Sequence, residues 1–378
     1  MKRRLLPWAG PVLAVLVAAC TAPETRAPGP RPLTAAEGRA LVSRHLPPKI
    51  PDRAGWATDI YAAIASLQVA PTPENVCAIV AVTEQESGFQ ADPAVANMRA
   101  ITEKALEHER EKAGVPKLVL DAALAIPSSN GRSYGERIAA ARTERERSDV
   151  YEDFIDRVPL GKRFLADRNP VRTAGPMQVS VAFAQSHAAR KPYPYGSADS
   201  VRHELFTRRG GIYYGAAHLL DYPAHYGDMI YRFADFNAGQ YSSRNAAFQK
   251  AVAELTGIPL QLDGDLLKME GSRVSPQPGG TELALRVLAP SLGMSERAVR
   301  RDLSREKEAA FEETALYRSV LARADEAARR PAARAVLPGI ELSSPKITRK
   351  LTTAWFARRV DERYRKCLAR DRSTPAAS

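Results

Sequence analysis

The chain has 378 residues, with 55 Lys and Arg against 43 Asp and Glu, a formal charge of +12 at neutral pH, and 44% of its residues are hydrophobic. That apolar share excludes a disordered polymer, and three cysteines exclude a disulfide-dense miniature fold. No self-similar period of roughly 20 to 50 residues is present, which excludes a solenoid.

The chain opens with Lys2-Arg3-Arg4, an uncharged run from Leu5 to Ala19, and Val17-Ala18-Ala19-Cys20. A basic start, a short apolar core and small residues ahead of a cysteine read as a lipoprotein signal peptide over 1–19, with lipidation at Cys20. The competing reading is an ordinary secretory signal that happens to meet a cysteine. Thr21 stands where an aspartate would favour inner-membrane retention in bacterial lipoproteins, so the expected address is the outer membrane, facing the periplasm. Residues 20–32 are rich in Pro and Ala and read as a flexible, lipidated tether. Loss of Lys2, Arg3 and Arg4 lowers the balance from +12 to +9. The mature chain stays basic, and export points to acidic envelope partners such as peptidoglycan or anionic lipid, not nucleic acid.

With Cys20 lipidated, Cys77 and Cys367 remain in an oxidising compartment. An even remainder favours one disulfide between them, against two buried free thiols. Beyond the tether the patterning predicts a mainly α protein, with helical runs at 121–126, 136–142, 211–220 and 311–330. Thr72-Pro73-Glu74 is a helix start, and Ser87-Gly88 a stop. Spacings of three and four put Ile79, Val82 or Thr83, and Glu86 on one apolar stripe that ends in an acid. The composition shifts after Gly264, giving a boundary between 33–263 and a C-terminal helical region over 264–378.

Glu86-Ser87-Gly88-Phe89, Gly175-Pro176-Met177-Gln178-Val179, Gly211 to Leu220 with its spaced glycines, and Phe236-Asn237-Ala238-Gly239 follow in that order. The series resembles the soluble lytic transglycosylases, which have a lysozyme-like fold. The resemblance covers Asn75 to Ala247 and is interrupted by an insertion over about 97–171. It implies Glu86 as the catalytic acid, with Ser87, Met177, Gln178, Phe236, Asn237, Ala238 and Gly239 bordering the substrate. One carboxyl suffices in that family, because the sugar's own 6-hydroxyl closes a 1,6-anhydro ring. Burial on an apolar stripe would disfavour the charged form of Glu86 and suit it to proton transfer. Glu84 and Asp92 are rival carboxylates. Two departures stand out: Phe236 replaces the usual tyrosine, and Pro176 the usual apolar residue.

Over most of the mature chain, Arg172 to Ser180, Tyr231 to Phe248, Phe311 to Tyr317 and Ser344 to Arg359 resemble the YaiW-like outer-membrane lipoproteins, a family of unassigned function. That resemblance implies an inner-membrane peptide transporter as a partner. Two functions are therefore expected in competition: a peptidoglycan lytic transglycosylase, or a non-catalytic envelope adaptor for the wall or a transporter. The six histidines show no ligand spacing, so neither metal nor cofactor is expected. Thr281 to Leu303 resembles a helix-turn-helix, which the export signal reduces to a plain helical hairpin.

Overall fold

The computed structural model describes residues 33–196, 200–271, 273–342 and 350–372. The signal segment 1–19, Cys20 and the tether lie outside the described residues. The expected mainly α class holds: helices dominate, and strands occur only as three two-stranded ladders among the described residues.

Helices α1 (Ala35–His45), α2 (Arg53–Ser66) and α3 (Pro73–Glu86) come first. Their starts follow local chemistry. Thr34 and Glu37 form a reciprocal capping box, and Asp52 accepts from the Gly55 amide. Thr72 accepts from the Asn75 amide, with Pro73 at the first helical position. The insertion then carries α4 (Met98–Lys112), α5 (Lys117–Ala125), α6 (Tyr134–Ala140), α7 (Glu144–Arg157) and α8 (Gly161–Leu165). Capping boxes at Ser133/Glu136 and Thr143/Glu146 start α6 and α7.

A hairpin of β1 (Thr173–Ala174) and β2 (Val179–Ser180) follows, with Thr173 opposite Ser180 and Ala174 opposite Val179. Next come α9 (Val181–Arg190), α10 (Val201–Leu205), α11 (Arg208–Leu220), α12 (Met229–Ala238) and α13 (Ser242–Thr256). Beyond the short β3 (Met269–Glu270) and β4 (Arg273–Val274) lie α14 (Gly280–Leu288), α15 (Glu296–Leu303) and α16 (Ala315–Ala328). The chain closes with β5 (Glu341–Leu342), β6 (Leu351–Thr352) and α17 (Thr353–Arg372).

Two hydrophobic cores result. The first gathers α1, α2, α3, the hairpin, α9, α11, α12 and α17; the second gathers α13, α14, α15 and α16. They interleave along the chain, because α13 faces the second core while α17 returns from the C-terminal end to the first.

Helix α3 is central to the first core, with every residue from Val76 to Thr83 buried. The expected single stripe is therefore too narrow: a helix apolar on all sides is covered on all sides. Helix α17 supplies part of the cover, packing on both α3 and α12. A disulfide joins Cys77 of α3 to Cys367 of α17, with Cα atoms 5.5 Å apart. Both cysteines are fully buried, and the Arg370 guanidinium donates to the His45 carbonyl at 2.6 Å beside them.

Candidate functional site

Glu86 is the last residue of α3 and is half-buried. The helix stops there for a local reason. The Ser87 amide donates to the Thr83 carbonyl, and Gly88 and Phe89 both adopt left-handed φ, +58° and +64°. Phe89 is driven into that conformation by packing, since its buried ring meets Trp56 edge-on at 5.2 Å. The Ser87 hydroxyl donates to the Thr83 carbonyl at 3.1 Å. Its single proton is spent on the helix end.

Of the rival carboxylates, Glu84 faces Arg370 of α17 at 3.7 Å, a contact that ties α3 to α17. Asp92 is half-buried, and desolvation pushes its pKa up against the opposing pull of the Thr143 hydroxyl and Arg145.

The segment Gly175 to Gln178 forms the turn of the hairpin. The Gln178 amide donates to the Gly175 carbonyl at 3.0 Å, and Gly175 and Gln178 sit at φ +77° and +51°. The Gln178 side chain folds back on the turn: its Nε2 donates to the Gly175 carbonyl, and its Oε1 accepts from Thr173. Pro176 and Met177 point into α11. A Cβ at Gly211 would overlap the Pro176 ring, and one at Gly215 would overlap Met177. The glycine spacing of α11 is thus the socket for this turn. Met177 is fully enclosed, which corrects its expected place on a ligand-facing wall: it pins the hairpin to the helix and touches no solvent.

Helix α12 carries the last motif. The Phe236 ring is buried against His218, with centroids 5.0 Å apart, and its carbonyl accepts from His218 Nε2 at 3.2 Å. Phe183 packs on the other part of the imidazole at 4.4 Å. Burial lowers the His218 pKa from 6.5 to about 4. Phe236 accordingly packs on His218, with 8% of its surface left exposed. Asn237 is exposed, and its Oδ1 accepts from Thr353 at the start of α17 at 2.9 Å. Ala238 and Gly239 are half-buried, and Gly239 ends α12 at φ +113°.

Asp235 escaped the sequence reading. It is fully buried and accepts from the Tyr222 and Tyr226 hydroxyls at 3.0 and 2.7 Å, and from the Tyr241 and Ser243 amides at 3.0 and 2.7 Å. Burial pushes its pKa up, with the hydrogen bonds from Tyr226 and Ser243 opposing. This carboxyl holds the turn from α12 into α13. Its neighbours in sequence carry no signal of that, because its partners come from four separate positions.

Helix α11 carries one of the four motifs, and the elements carrying the other three, α3, α12 and β2, pack against it. Two cavities, of about 490 and 300 Å³, lie against the second core. The larger is bordered by Gln249, Asp263, Asp265 and Lys268, the smaller by Lys250, Glu254 and Arg330; Glu86 borders neither. Among the described residues no helix is long and apolar enough to cross a membrane, and no cluster of acids, histidines and cysteines could hold a metal.

No solved structure matches the chain. A curated relative, "Uncharacterized protein YaiW" of Escherichia coli (strain K12), is 47% identical over 357 residues, spanning 94% of this chain and 96% of the relative. The family described as "Protein of unknown function (DUF1615)" matches residues 49–370, and the chain belongs to that family.

Proposed function

We propose that the chain is a lipid-anchored protein of the outer membrane, facing the periplasm, whose lysozyme-like domain cuts the β-1,4 glycosidic bonds of peptidoglycan as a lytic transglycosylase. The observation that carries this reading is the assembly around α11: the helix ending in Glu86, the Gly-Pro-Met-Gln turn and the helix ending in Phe236-Asn237 all pack on it. In the reaction the Glu86 carboxyl gives its proton to the bridging oxygen as the bond from C1 to that oxygen breaks. The bond pair leaves with the oxygen, and C1 becomes oxocarbenium-like. The sugar's 6-hydroxyl oxygen then attacks C1, its proton returns to the Glu86 carboxylate, and a 1,6-anhydro end forms.

Digestion of purified sacculi tests this. The mature protein should release 1,6-anhydro muropeptides detectable by mass spectrometry, and Glu86→Gln should release none while keeping its thermal unfolding midpoint. Wild type that releases no anhydro product, or a glutamine variant that equals it, rejects the enzyme.

A second reading is a non-catalytic adaptor for the wall or an inner-membrane transporter. Phe236 supports it, because it brings no hydroxyl, as does the use of Ser87, Gln178 and Asn237 in bonds within the protein. Photo-crosslinking from Asn237 in intact cells should then trap an envelope protein. Failure to do so in cells whose extracted protein still cleaves sacculi would reject it.

A further inference from the structure

Helix α5 buries none of its residues, although it contains Leu118, Val119, Leu120 and Leu124. At about 100° per residue, Leu118, Val119, Ala122, Ala125 and the following Ile126 fall within an arc of roughly 120°. All five are exposed, Leu118 at 80% and Val119 at 54%. The arc therefore faces solvent while the rest of the helix packs on α6.

A second exposed apolar pair lies on the segment after α7. Arg157, at the end of α7, donates from Nη1 to the Pro127 carbonyl at 3.0 Å, holding the end of α5 beside the turn that leads to Leu160 and Phe164. These two are 64% and 63% exposed. Leu160 sits at φ +58°, a conformation that side chains of L-residues rarely adopt, so the backbone is held out of its ordinary range with this leucine in water. The segment after α7 is basic: residues 157–172 hold Arg157, Lys162, Arg163, Arg168 and Arg172 against Asp167, with Asp156 just ahead of them 3.0 Å from Lys162. The Arg163 guanidinium lies 5.7 Å from the centroid of the Phe164 ring, and the Lys162 side chain is 73% exposed.

We propose that this face of the insertion docks on the surface of an anionic phospholipid bilayer. Exposed apolar side chains with Lys117, Lys162 and Arg163 among them, and Asp121 as the acid at the edge of the arc, have the chemistry of an interfacial helix: the apolar groups enter the acyl boundary while the cations stay with the headgroups. A glycan strand offers C–H faces that stack on an aromatic ring such as Phe164, but little that would cover the aliphatic side chains of Leu118, Val119 and Ile126. The proposal rests on the lipid-anchor reading for its context, because a tether from Cys20 to Leu33 spans at most about 45 Å and keeps the body near the leaflet.

The test uses the chain from Thr21, which keeps every residue of both cores and carries no lipid, so that only the protein surface is measured. Co-sedimentation with vesicles of equal phosphatidylglycerol and phosphatidylcholine should exceed that with phosphatidylcholine alone and should weaken with added salt. The triple variant Leu118→Ser/Val119→Ser/Phe164→Ser and the pair Lys162→Gln/Arg163→Gln should each lower partitioning roughly tenfold or more. Their thermal midpoints should be unchanged, since these side chains are exposed. Should the triple variant unfold, Phe164→Ser alone and the charge pair still decide. Wild type that ignores phosphatidylglycerol, or variants that bind as wild type does, overturns the proposal. So does a vesicle-free dimer, seen by light scattering, that the serine substitutions dissociate, since the patch would then belong to a second copy. The anchor itself is tested separately by palmitate labelling of the full chain with and without Cys20→Ala.

Discussion

Acidification should destabilise this protein through His218, and the size of the effect follows from the packing of its ring. The Phe236 carbonyl can only accept, so Nε2 carries the hydrogen and Nδ1 keeps a lone pair. Nδ1 is buried and has no hydrogen-bond partner. A second proton must therefore enter an apolar space between Phe183 and Phe236, with no acceptor to receive it. Burial is the main cause that lowers the pKa from 6.5 to about 4, and the carbonyl opposes it. A base whose folded pKa is depressed contributes stability that is fully present above its unfolded value and is lost as pH falls towards the folded one. At about 1.4 kcal/mol per pH unit, the loss between pH 6.5 and pH 4 approaches roughly 3 kcal/mol. Solvent reaches part of the residue, so about 2 to 3 kcal/mol is the expected range. Urea unfolding followed by circular dichroism, with the disulfide intact, should be run at about pH 8 and pH 4 on wild type and on His218→Gln, which keeps a donor for Phe236. Asp235 and Glu306 have raised folded pKa values and titrate with the opposite sign, but both proteins carry them and they cancel in the difference. The variant should lose 2 to 3 kcal/mol less than wild type across that interval. Superimposable pH dependences for the two proteins would refute the reasoning.

The cross-link and the hairpin give further outcomes. The disulfide spans 290 residues, so the chain-entropy account gives it an upper figure of about 6 kcal/mol, and Cys77→Ala/Cys367→Ala should unfold at markedly lower urea. Both sulfurs are fully buried, so mild reductant followed by alkylation should leave the native protein unlabelled, and rapid labelling would show that α17 leaves α3 readily. At Gly175 a Cβ would overlap the Leu205 carbonyl oxygen, and φ is +77°. Neither a backbone oxygen nor that dihedral yields cheaply, so Gly175→Ala should cost about 3 kcal/mol or more in equilibrium unfolding, whereas an unchanged midpoint would mean the turn is not held there.

Much of the local structure was legible in the chain, because caps and positive-φ positions are decided within a few residues. Thr72-Pro73-Glu74 marks the start of α3 and Ser87-Gly88 its end, and the structure has each there. The count of cysteines favoured the bond between Cys77 and Cys367. The patterning pointed to a mainly helical protein, since alternating stretches are scarce, and helices dominate the structure. What the chain could not reveal is which apolar surfaces are covered. Val76 to Thr83 read as one stripe until α17, nearly 300 residues away, closed over the rest of the helix. Met177 read as a wall residue until Gly215 gave it a socket, Asp235 passed as an ordinary acid until four donors converged on it, and the run at 121–126 read only as helical, with no sign that α5 buries none of its residues. Propensity and capping act through neighbours in sequence, whereas burial is set by segments that meet only in three dimensions, and in this protein it is burial that separates packing residues from those left free to face a partner.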